Sequence, residues 1–245
     1  HTSYKPLGRK LSMYSLIILS TFLAQLILVT SFADAKPLRY IAIGDSYTVA
    51  TGIEKKNSWP SQLTRKLKSA GIKIDLIETI GIRGATSQQI KSKILPQLKK
   101  LNPDFITLLI GVNDWIREGI STIKFKLRIK SLINKIKSTL LISENLILVT
   151  IPDFSCSPQK KEWGYGKSAT NGITRLNNIL KTEARLENLI LIDIYPLSQN
   201  LCSQTGMFSE DGVHPSALQY SKWVDLIFPH LINHLKTKAT NLKKF

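Results

Sequence analysis

A serine, an aspartate and a histidine in this 245-residue chain could together catalyse acyl transfer. Ser46 directly follows an apolar run and a glycine-aspartate pair, and His214 lies three residues after Asp211 near the other end of the chain. A serine hydroxyl is a weak nucleophile until a base removes its proton, which an imidazole can do. A carboxylate can hold the other ring nitrogen and balance the imidazolium charge. We therefore predict Ser46 as the nucleophile, His214 as the base and Asp211 as its partner.

Acyl transfer also needs hydrogen-bond donors for the oxyanion of the tetrahedral intermediate. Three donors fit this role in the sequence: the backbone N–H groups of Ser46 and Gly84, and the side-chain amide of Asn113. A side chain at position 84 would obstruct the approach of a substrate carbonyl, which gives the glycine a reason of its own. We predict these three residues as the oxyanion hole.

The predicted elements explain how residues so far apart in sequence could meet. Apolar runs predict five strands, which alternate with helical patterns beginning near residues 59, 86, 119, 173 and 216; the strands are 39–44, 72–79, 105–110, 146–151 and 189–194. This alternation predicts a parallel, doubly wound sheet with helices on both faces. The carboxyl ends of parallel strands share one edge, where such sheets bind ligands. The candidate residues all follow predicted strands and should meet there.

Two of the predicted helices leave a question open. Pro96 should kink or divide the helix that begins at residue 86 or 87. The segment 119–142 predicts a basic amphipathic helix whose apolar residues include Ile123 and Leu127. Such a helix could touch a membrane, but this spacing favours packing against the sheet.

The first 35 residues have the features of an export signal. Basic residues precede an uncharged stretch from 11 to 33, and Ala33-Asp34-Ala35 has the small-x-small pattern of a signal peptidase site. We predict a signal peptide over 1–35, followed by a hydrolase domain over 36–236 and a basic, frayed tail over 237–245. The alternative is an uncleaved anchor formed by residues 11–33. Either version places the domain outside the cytoplasm, in the periplasm or secreted.

The charge of the chain limits its partners. The chain has 34 Lys and Arg against 17 Asp and Glu, a formal net charge of +17. Such a charge favours anionic surfaces such as phospholipid headgroups. The alternative is that lysine is simply the default solvated residue of this chain. The sequence has no phosphate loop, zinc-ligand set or aromatic-interleaved basic motif. We therefore expect a monomer without cofactor, metal or nucleic-acid partner, and with a small-molecule or lipid ester as substrate.

Only two cysteines are present, Cys156 and Cys202, and both follow predicted strands at the same edge of the sheet. They could form one disulfide in an exported protein. Sequence alone does not show whether their Cα atoms come close enough, so free thiols are the alternative.

Four blocks of this sequence resemble those of the SGNH hydrolase (GDSL esterase/lipase) family, in its bacterial lysophospholipase/thioesterase-like esterase branch. The blocks occur in the family's order: Gly44-Asp45-Ser46-Tyr47, Gly84, Gly111-Val112-Asn113-Asp114 and Asp211-Gly212-Val213-His214-Pro215. Tyr47 stands where many members have leucine. The resemblance implies a three-layer α/β/α flavodoxin-like sandwich with strand order 2-1-3-4-5. It also implies the same roles for Ser46, Gly84, Asn113, Asp211 and His214.

The expected function is cleavage of acyl esters or thioesters through a Ser-His-Asp triad and an acyl-enzyme. The Gly-x-Ser-x-Gly motif of the other common serine esterases is absent. Two alternatives stay open: an acyl or acetyl transferase or deacetylase acting on cell-wall carbohydrate, and an inactive scaffold that binds anions or membranes. Four side chains in the loops could line an acyl site or merely pack there: Trp115, Phe154, Trp163 and Met207.

Overall fold

Five short apolar segments form the sheet at the centre of the molecule. The computed structural model describes residues 36–93, 95–159 and 166–241. All strands pair in parallel in the order β2-β1-β3-β4-β5, which confirms the predicted topology. Their bounds are Leu38–Gly44 (β1), Ile74–Gly81 (β2), Phe105–Leu109 (β3), Leu146–Val149 (β4) and Ile190–Ile192 (β5). Every residue of β3 and β4 is buried, as expected for central strands covered on both faces.

Helices cover both faces of this sheet and complete the three-layer α/β/α sandwich. One pair is α1 (Trp59–Ser69) with α8 (Ala217–Asn241), which pack against each other. In the other group, α5 (Thr122–Lys137) packs against α2 (Ser87–Lys93), α3 (Leu95–Leu101) and α6 (Gly166–Leu186). Two short helices, α4 (Val112–Ile116) and α7 (Tyr195–Leu201), follow β3 and β5.

Capping residues explain where several helices begin. Ser58 Oγ accepts a hydrogen bond from the backbone N–H of Ser61 at the start of α1, and Ser121 caps α5 in the same way. Pro96 lies in the first turn of α3, where its missing N–H costs nothing. The predicted kink or division would fall at residue 94, between the end of α2 and the start of α3, which lies outside the described residues.

The prediction for the basic helix was wrong in two respects. The helix covers Thr122–Lys137 rather than 119–142, and Ile123 and Leu127 are 75% and 65% exposed instead of packed on the sheet. At about 100° per residue, these two side chains lie opposite the face that enters the core. That face consists of Phe125, Ile129, Leu132, Ile133 and Ile136.

Other element boundaries also differ from the predictions. The short helices α4 and α7 were not predicted, since helices of five and seven residues show too little periodicity. Strand β2 covers Ile74–Gly81 rather than 72–79, and Gly81 pairs with Gly44 of β1. The last helix continues to Asn241, so it includes the first residues of the segment predicted as a frayed tail, 237–245.

A disulfide joins two loops at the carboxyl end of the sheet. Cys156, in the segment after β4, is bonded to Cys202 at the end of α7, with their Cα atoms 5.7 Å apart. The predicted signal or anchor segment, 1–35, lies outside the described residues, as does the tail after 241. Within the part of the chain that is described, no helix has the length and apolar character to cross a membrane.

Candidate active site

Ser46 lies in a tight turn at the carboxyl end of β1. The backbone N–H groups of Thr48 and Val49 both donate to Asp45 O, at 3.0 and 3.1 Å, and Thr51 N donates to Ser46 O at 3.1 Å. A Cβ at Gly44 would lie 2.4 Å from Leu109 O, so only glycine lets β1 approach β3 this closely. The turn therefore presents a largely buried serine at the edge of the sheet.

The neighbouring Asp45 is buried and organises this turn. Its Oδ1 accepts a hydrogen bond from Tyr47 N at 3.1 Å, and its Oδ2 lies 3.5 Å from Asn113 Nδ2. Burial raises the pKa of Asp45 to about 7, with a further rise from the nearby Asp114 carboxylate and an opposing effect of the Tyr47 N–H. Asp45 thus bonds a turn amide and has a structural role in the turn.

Asp211 and His214 form a hydrogen-bonded pair. Asp211 Oδ2 lies 2.6 Å from His214 Nδ1, while Oδ1 accepts from the backbone N–H groups of Val213 and His214 at 2.9 Å and from Ser209 Oγ at 2.7 Å. Partial burial opposes ionisation, but these hydrogen bonds outweigh it and hold the pKa of Asp211 well below its usual range. Asp211 therefore remains an anion beside the imidazole at neutral pH.

The Ser46 turn and the Asp211 loop pack against each other. The rings of Tyr47 and His214 meet edge to face with centroids 6.0 Å apart. A Cβ at Gly52, near the end of the turn, would lie 3.1 Å from Asp211 Oδ2. Within the described residues the Ser46 hydroxyl forms no hydrogen bond with the His214 ring. Catalytic hydrogen bonds are often loose without substrate, so this leaves the predicted pairing open.

The candidate oxyanion donors lie on three neighbouring segments. Gly84 follows β2 with a φ of +75°, a conformation that favours glycine. In the described chain, no backbone acceptor takes the N–H of Ser46 or of Gly84. Asn113, in α4, donates from Nδ2 to Ala85 O at 3.0 Å, so its amide holds the loop that carries Gly84. Two backbone donors are thus free, and the amide of Asn113 lies beside them.

Asp114 joins this region to α2. Its carboxylate accepts from Ser87 N at 2.8 Å and Ser87 Oγ at 2.6 Å, and Arg128 Nη1 lies 3.2 Å away. Burial raises the pKa of Asp114, although the hydrogen bonds from Ser87 and Arg128 counteract the rise. This carboxylate fixes the start of α2 relative to α4.

Two residues that neighbour the site, Arg117 and Gln159, were not identified from the sequence. Arg117 donates a hydrogen bond to Gly84 O. Gln159 N donates to Gly212 O at 3.2 Å, so the segment that carries Cys156 supports the Asp211 turn. No motif marks either residue, because an arginine or a glutamine in a loop has no characteristic spacing.

The four loop side chains that could line an acyl site have different surroundings. Phe154 and Met207 are buried, and the Trp115 ring packs against Gly172 of α6, whereas Trp163 lies outside the described residues. A cavity of about 350 Å³ lies beside β2, with Thr48, Lys55 and Glu78 in its lining. Neither Ser46 nor His214 lines it. We therefore assign it no part in the chemistry of the serine.

The fold defines the class of this protein: a parallel sheet of order 2-1-3-4-5 between helical layers is the SGNH-type sandwich. Residues 42–222 match the GDSL-like lipase/acylhydrolase family, and the chain belongs to that family. The chain is therefore a carboxylic ester hydrolase, and the resemblance found in its four sequence blocks is confirmed.

Individual relatives and solved structures agree with this assignment. Esterase TesA of Pseudomonas aeruginosa is 22% identical over 215 residues, which cover 88% of this chain and 96% of the relative. A family 3 carbohydrate esterase of Clostridium thermocellum has a TM-score of 0.65 at 23% identity, covering 83% of this chain and 100% of that one. The psychrotrophic esterase EstA of Pseudoalteromonas sp. has a TM-score of 0.63 at 18% identity, with 81% and 98% covered. The two structural likenesses show the shared fold.

Proposed function

We propose that this esterase works through a Ser46–His214–Asp211 triad and an acyl-enzyme intermediate. Ser46 Oγ attacks the ester carbonyl while His214 Nε2 takes its proton and then delivers it to the departing alcohol or thiol. A water molecule, deprotonated by the same nitrogen, attacks the acyl-enzyme and releases the acid. The observation that supports this most strongly is the 2.6 Å contact between Asp211 and His214, on a loop packed against the Ser46 turn.

The role of Asp211 follows from its hydrogen bonds. When the Nδ1–H of His214 donates a hydrogen bond to the carboxylate, Nε2 carries no proton and can accept one from the serine. Because backbone N–H groups and Ser209 keep Asp211 ionised, it can balance the imidazolium that forms during each step. Asp211 orients and stabilises the base without changing its own protonation.

The proposed oxyanion hole consists of Ser46 N–H, Gly84 N–H and the Asn113 amide. The first two donors are unused by backbone acceptors in the described chain. Asn113 Nδ2 carries two N–H groups, which bond Ala85 O at 3.0 Å and, more weakly, Asp45 Oδ2 at 3.5 Å, so Asn113 would exchange the longer bond for one to the oxyanion. Loss of one such donor typically costs about 3–4 kcal/mol of transition-state stabilisation.

Replacement of the nucleophile tests this proposal. Ser46→Ala should lower kcat for p-nitrophenyl butyrate by at least about 10³-fold, the scale of losses when a triad member is removed. Ser92→Ala is the matched control, because Ser92 is an exposed serine of α2. Circular dichroism should show both variants folded. Full activity in the Ser46→Ala enzyme would exclude the triad.

As substrates we propose acyl esters or thioesters with a lipid or other small-molecule alcohol or thiol part. Every proposed catalytic group comes from this one chain, so we propose that the monomer is active. Hydrolysis is favoured over transfer because water needs no binding site of its own. Measuring products in the presence of a sugar acceptor would reveal a transferase by the formation of an acylated sugar.

A second proposed property is contact with an anionic lipid surface, supported by α5. The exposed Ile123 and Leu127 are one turn apart and are flanked by exposed Lys124, Lys126 and Lys130. Apolar side chains within a basic surface fit an interface with anionic headgroups.

Leu127→Ser should weaken co-sedimentation with phosphatidylglycerol vesicles. The control Leu141→Ser removes a leucine that is 97% exposed, beyond the other end of α5, and binding should persist. If both variants lost vesicle binding equally, α5 would be excluded as the contact surface.

We further propose that the enzyme acts outside the cytoplasm. The Cys156–Cys202 disulfide supports this location, because such bonds persist in oxidising compartments. The export signal expected from residues 1–35 agrees with it. Fractionation of cells that produce the full chain should recover the activity outside the cytoplasm, and activity confined to the cytoplasm would contradict the proposal.

A further inference from the structure

The side chain of Arg117 lies next to the proposed oxyanion hole. Its Nη1 donates a hydrogen bond to Gly84 O, and a Cβ placed on Gly84 would lie 2.8 Å from the same nitrogen. Arg117 is nevertheless exposed to solvent. The guanidinium therefore borders the residue whose N–H is a proposed oxyanion donor, and it remains accessible to a bound substrate.

Arg117 and Asn113 project toward the same loop. They are one helical turn apart, and Arg117 N donates to Asn113 O at 3.1 Å. The Asn113 amide bonds Ala85 O and the Arg117 guanidinium bonds Gly84 O, so two successive carbonyls are held from one face of α4. The cation is thus on the same side of the helix as the proposed oxyanion residue.

No carboxylate neutralises this cation in the described chain. The adjacent Glu118 pairs instead with Arg128, at 2.6 Å, and Arg128 also contacts Asp114. The ion pairs among the described residues include neither Arg117 nor the exposed Arg83, which immediately precedes Gly84. Among the described residues, Arg117 is therefore a guanidinium without an ion-pair partner beside Gly84, in a chain of net charge +17.

We propose that Arg117 is a specificity-determining residue that selects esters carrying an anionic group close to the ester bond. A guanidinium presents paired N–H donors that match carboxylate and phosphate oxygens. The anion could be a carboxylate on the acyl part or a phosphate on the alcohol part, and the binding chemistry is the same. This inference rests on the proposed serine mechanism, because only that mechanism makes the Gly84 N–H, beside which Arg117 lies, a contact of the reacting ester.

Two pairs of esters distinguish these sources of negative charge. The alcohol part is tested with 1-octanoylglycerol against 1-octanoylglycerol 3-phosphate, and the acyl part with p-nitrophenyl pentanoate against mono-p-nitrophenyl glutarate. Within each pair, the ratio of kcat/KM for the anionic ester to that for the neutral ester measures selectivity. We expect one of these ratios to fall about tenfold in Arg117→Gln, mainly through KM, as suits the loss of one charged hydrogen bond. High salt should lower the same ratio in the unaltered enzyme.

The variant and its control separate binding from a structural role. Glutamine is uncharged but keeps an N–H donor, so the substitution removes the charge and preserves the ability to donate. Arg65→Gln is the matched control, since Arg65 is an exposed arginine of α1 that also donates to a backbone carbonyl, Lys56 O, at 2.7 Å. Both selectivity ratios should be unchanged in the control.

Several outcomes would overturn the assignment. Equal losses on neutral and anionic esters in Arg117→Gln would show that Arg117 only clamps the Gly84 loop, and unchanged ratios in both pairs would show that it does not sense charge. If the proposed serine mechanism itself were wrong, the result would differ: Ser46→Ala would retain the activity of the unaltered enzyme, or the unaltered enzyme would cleave none of these esters. In that case both proposals fail together.

Discussion

Gly52 and Asp211 lie close together although 159 positions separate them: a Cβ on Gly52 would come within 3.1 Å of Asp211 Oδ2 and 2.6 Å of Ser209 Oγ. Gly52→Ala should therefore displace the Asp211 loop and lower kcat/KM for p-nitrophenyl butyrate by about 10- to 100-fold, since small displacements of catalytic groups have effects of this size.

A matched glycine controls for backbone strain in this experiment. Gly71 has a φ of +84°, nearly the +85° of Gly52, but nothing lies within 4 Å of a Cβ there. Both alanine variants should lose about 1–2 kcal/mol of folding stability through the left-handed backbone. Only Gly52→Ala should lose activity beyond that explained by unfolding. Equal activities in two equally stable variants would mean that Gly52 does not position Asp211.

Removing the charge of Asp211 tests its orienting role. Asp211→Asn should lower kcat by about 10³- to 10⁴-fold, because an amide can stabilise the wrong tautomer of His214 and cannot balance an imidazolium. Steady-state kinetics with p-nitrophenyl butyrate measure this loss. The neighbouring Glu210 is exposed, so Glu210→Gln removes one negative charge nearby and should reduce kcat less than threefold. Similar losses in both variants would indicate a general electrostatic effect.

The buried Asp45 should make stability depend on pH. Its pKa is about 7 in the folded protein, against about 3.9 in an unfolded chain. Between these values the folded state keeps a proton that the unfolded state has released, so this group's contribution to stability falls as pH rises from 4 to 7 and then levels off. Asp45→Asn cannot lose a proton. The free energy of unfolding of the variant relative to wild type should therefore rise by roughly 2 kcal/mol between pH 5 and 8.

Urea unfolding at several pH values measures this difference. Asp75→Asn serves as the control, because Asp75 is a partly exposed carboxylate that pairs with Lys68. Its unfolding free energy relative to wild type should change far less over the same pH range. If the unfolding free energy of Asp45→Asn relative to wild type did not change between pH 5 and 8, Asp45 would be ionised in the folded state throughout that range.

Reduction of the disulfide should destabilise the enzyme. Cys156 and Cys202 are separated by 46 positions, and the chain-entropy argument gives a loss of about 4 kcal/mol when a loop of this length is opened. Activity should fall as well, because Gln159, close to Cys156, donates a hydrogen bond to Gly212 of the loop that carries Asp211 and His214. Urea unfolding with and without dithiothreitol measures the first effect. The double variant Cys156→Ala with Cys202→Ala should resemble the reduced protein and be insensitive to reductant.

Sequence patterns predicted the sheet because its signals are local. Apolar runs as short as those at β3 and β4, with glycine and proline around them, mark buried strands, and the alternation with helices leaves little choice of topology. The Asp211–His214 pair was also predictable, because two residues three positions apart in one turn can meet without help from the rest of the fold. The element ends were less predictable, because short helices such as α4 depend on contacts more than on periodicity.

The sequence by itself thus determined, through short-range patterns, the alternation of five strands with helices, the family resemblance and the residue types available for chemistry. The order of the strands followed from that resemblance. Only the tertiary structure decided that Gly52 lies against Asp211, that Arg117 borders Gly84, that the two cysteines pair and that Ile123 and Leu127 face outward. These contacts join distant or unpatterned positions, and the packing of separate loops sets their distances. No local propensity encodes such a distance, so it becomes definite only when the sheet brings its strand ends to one edge.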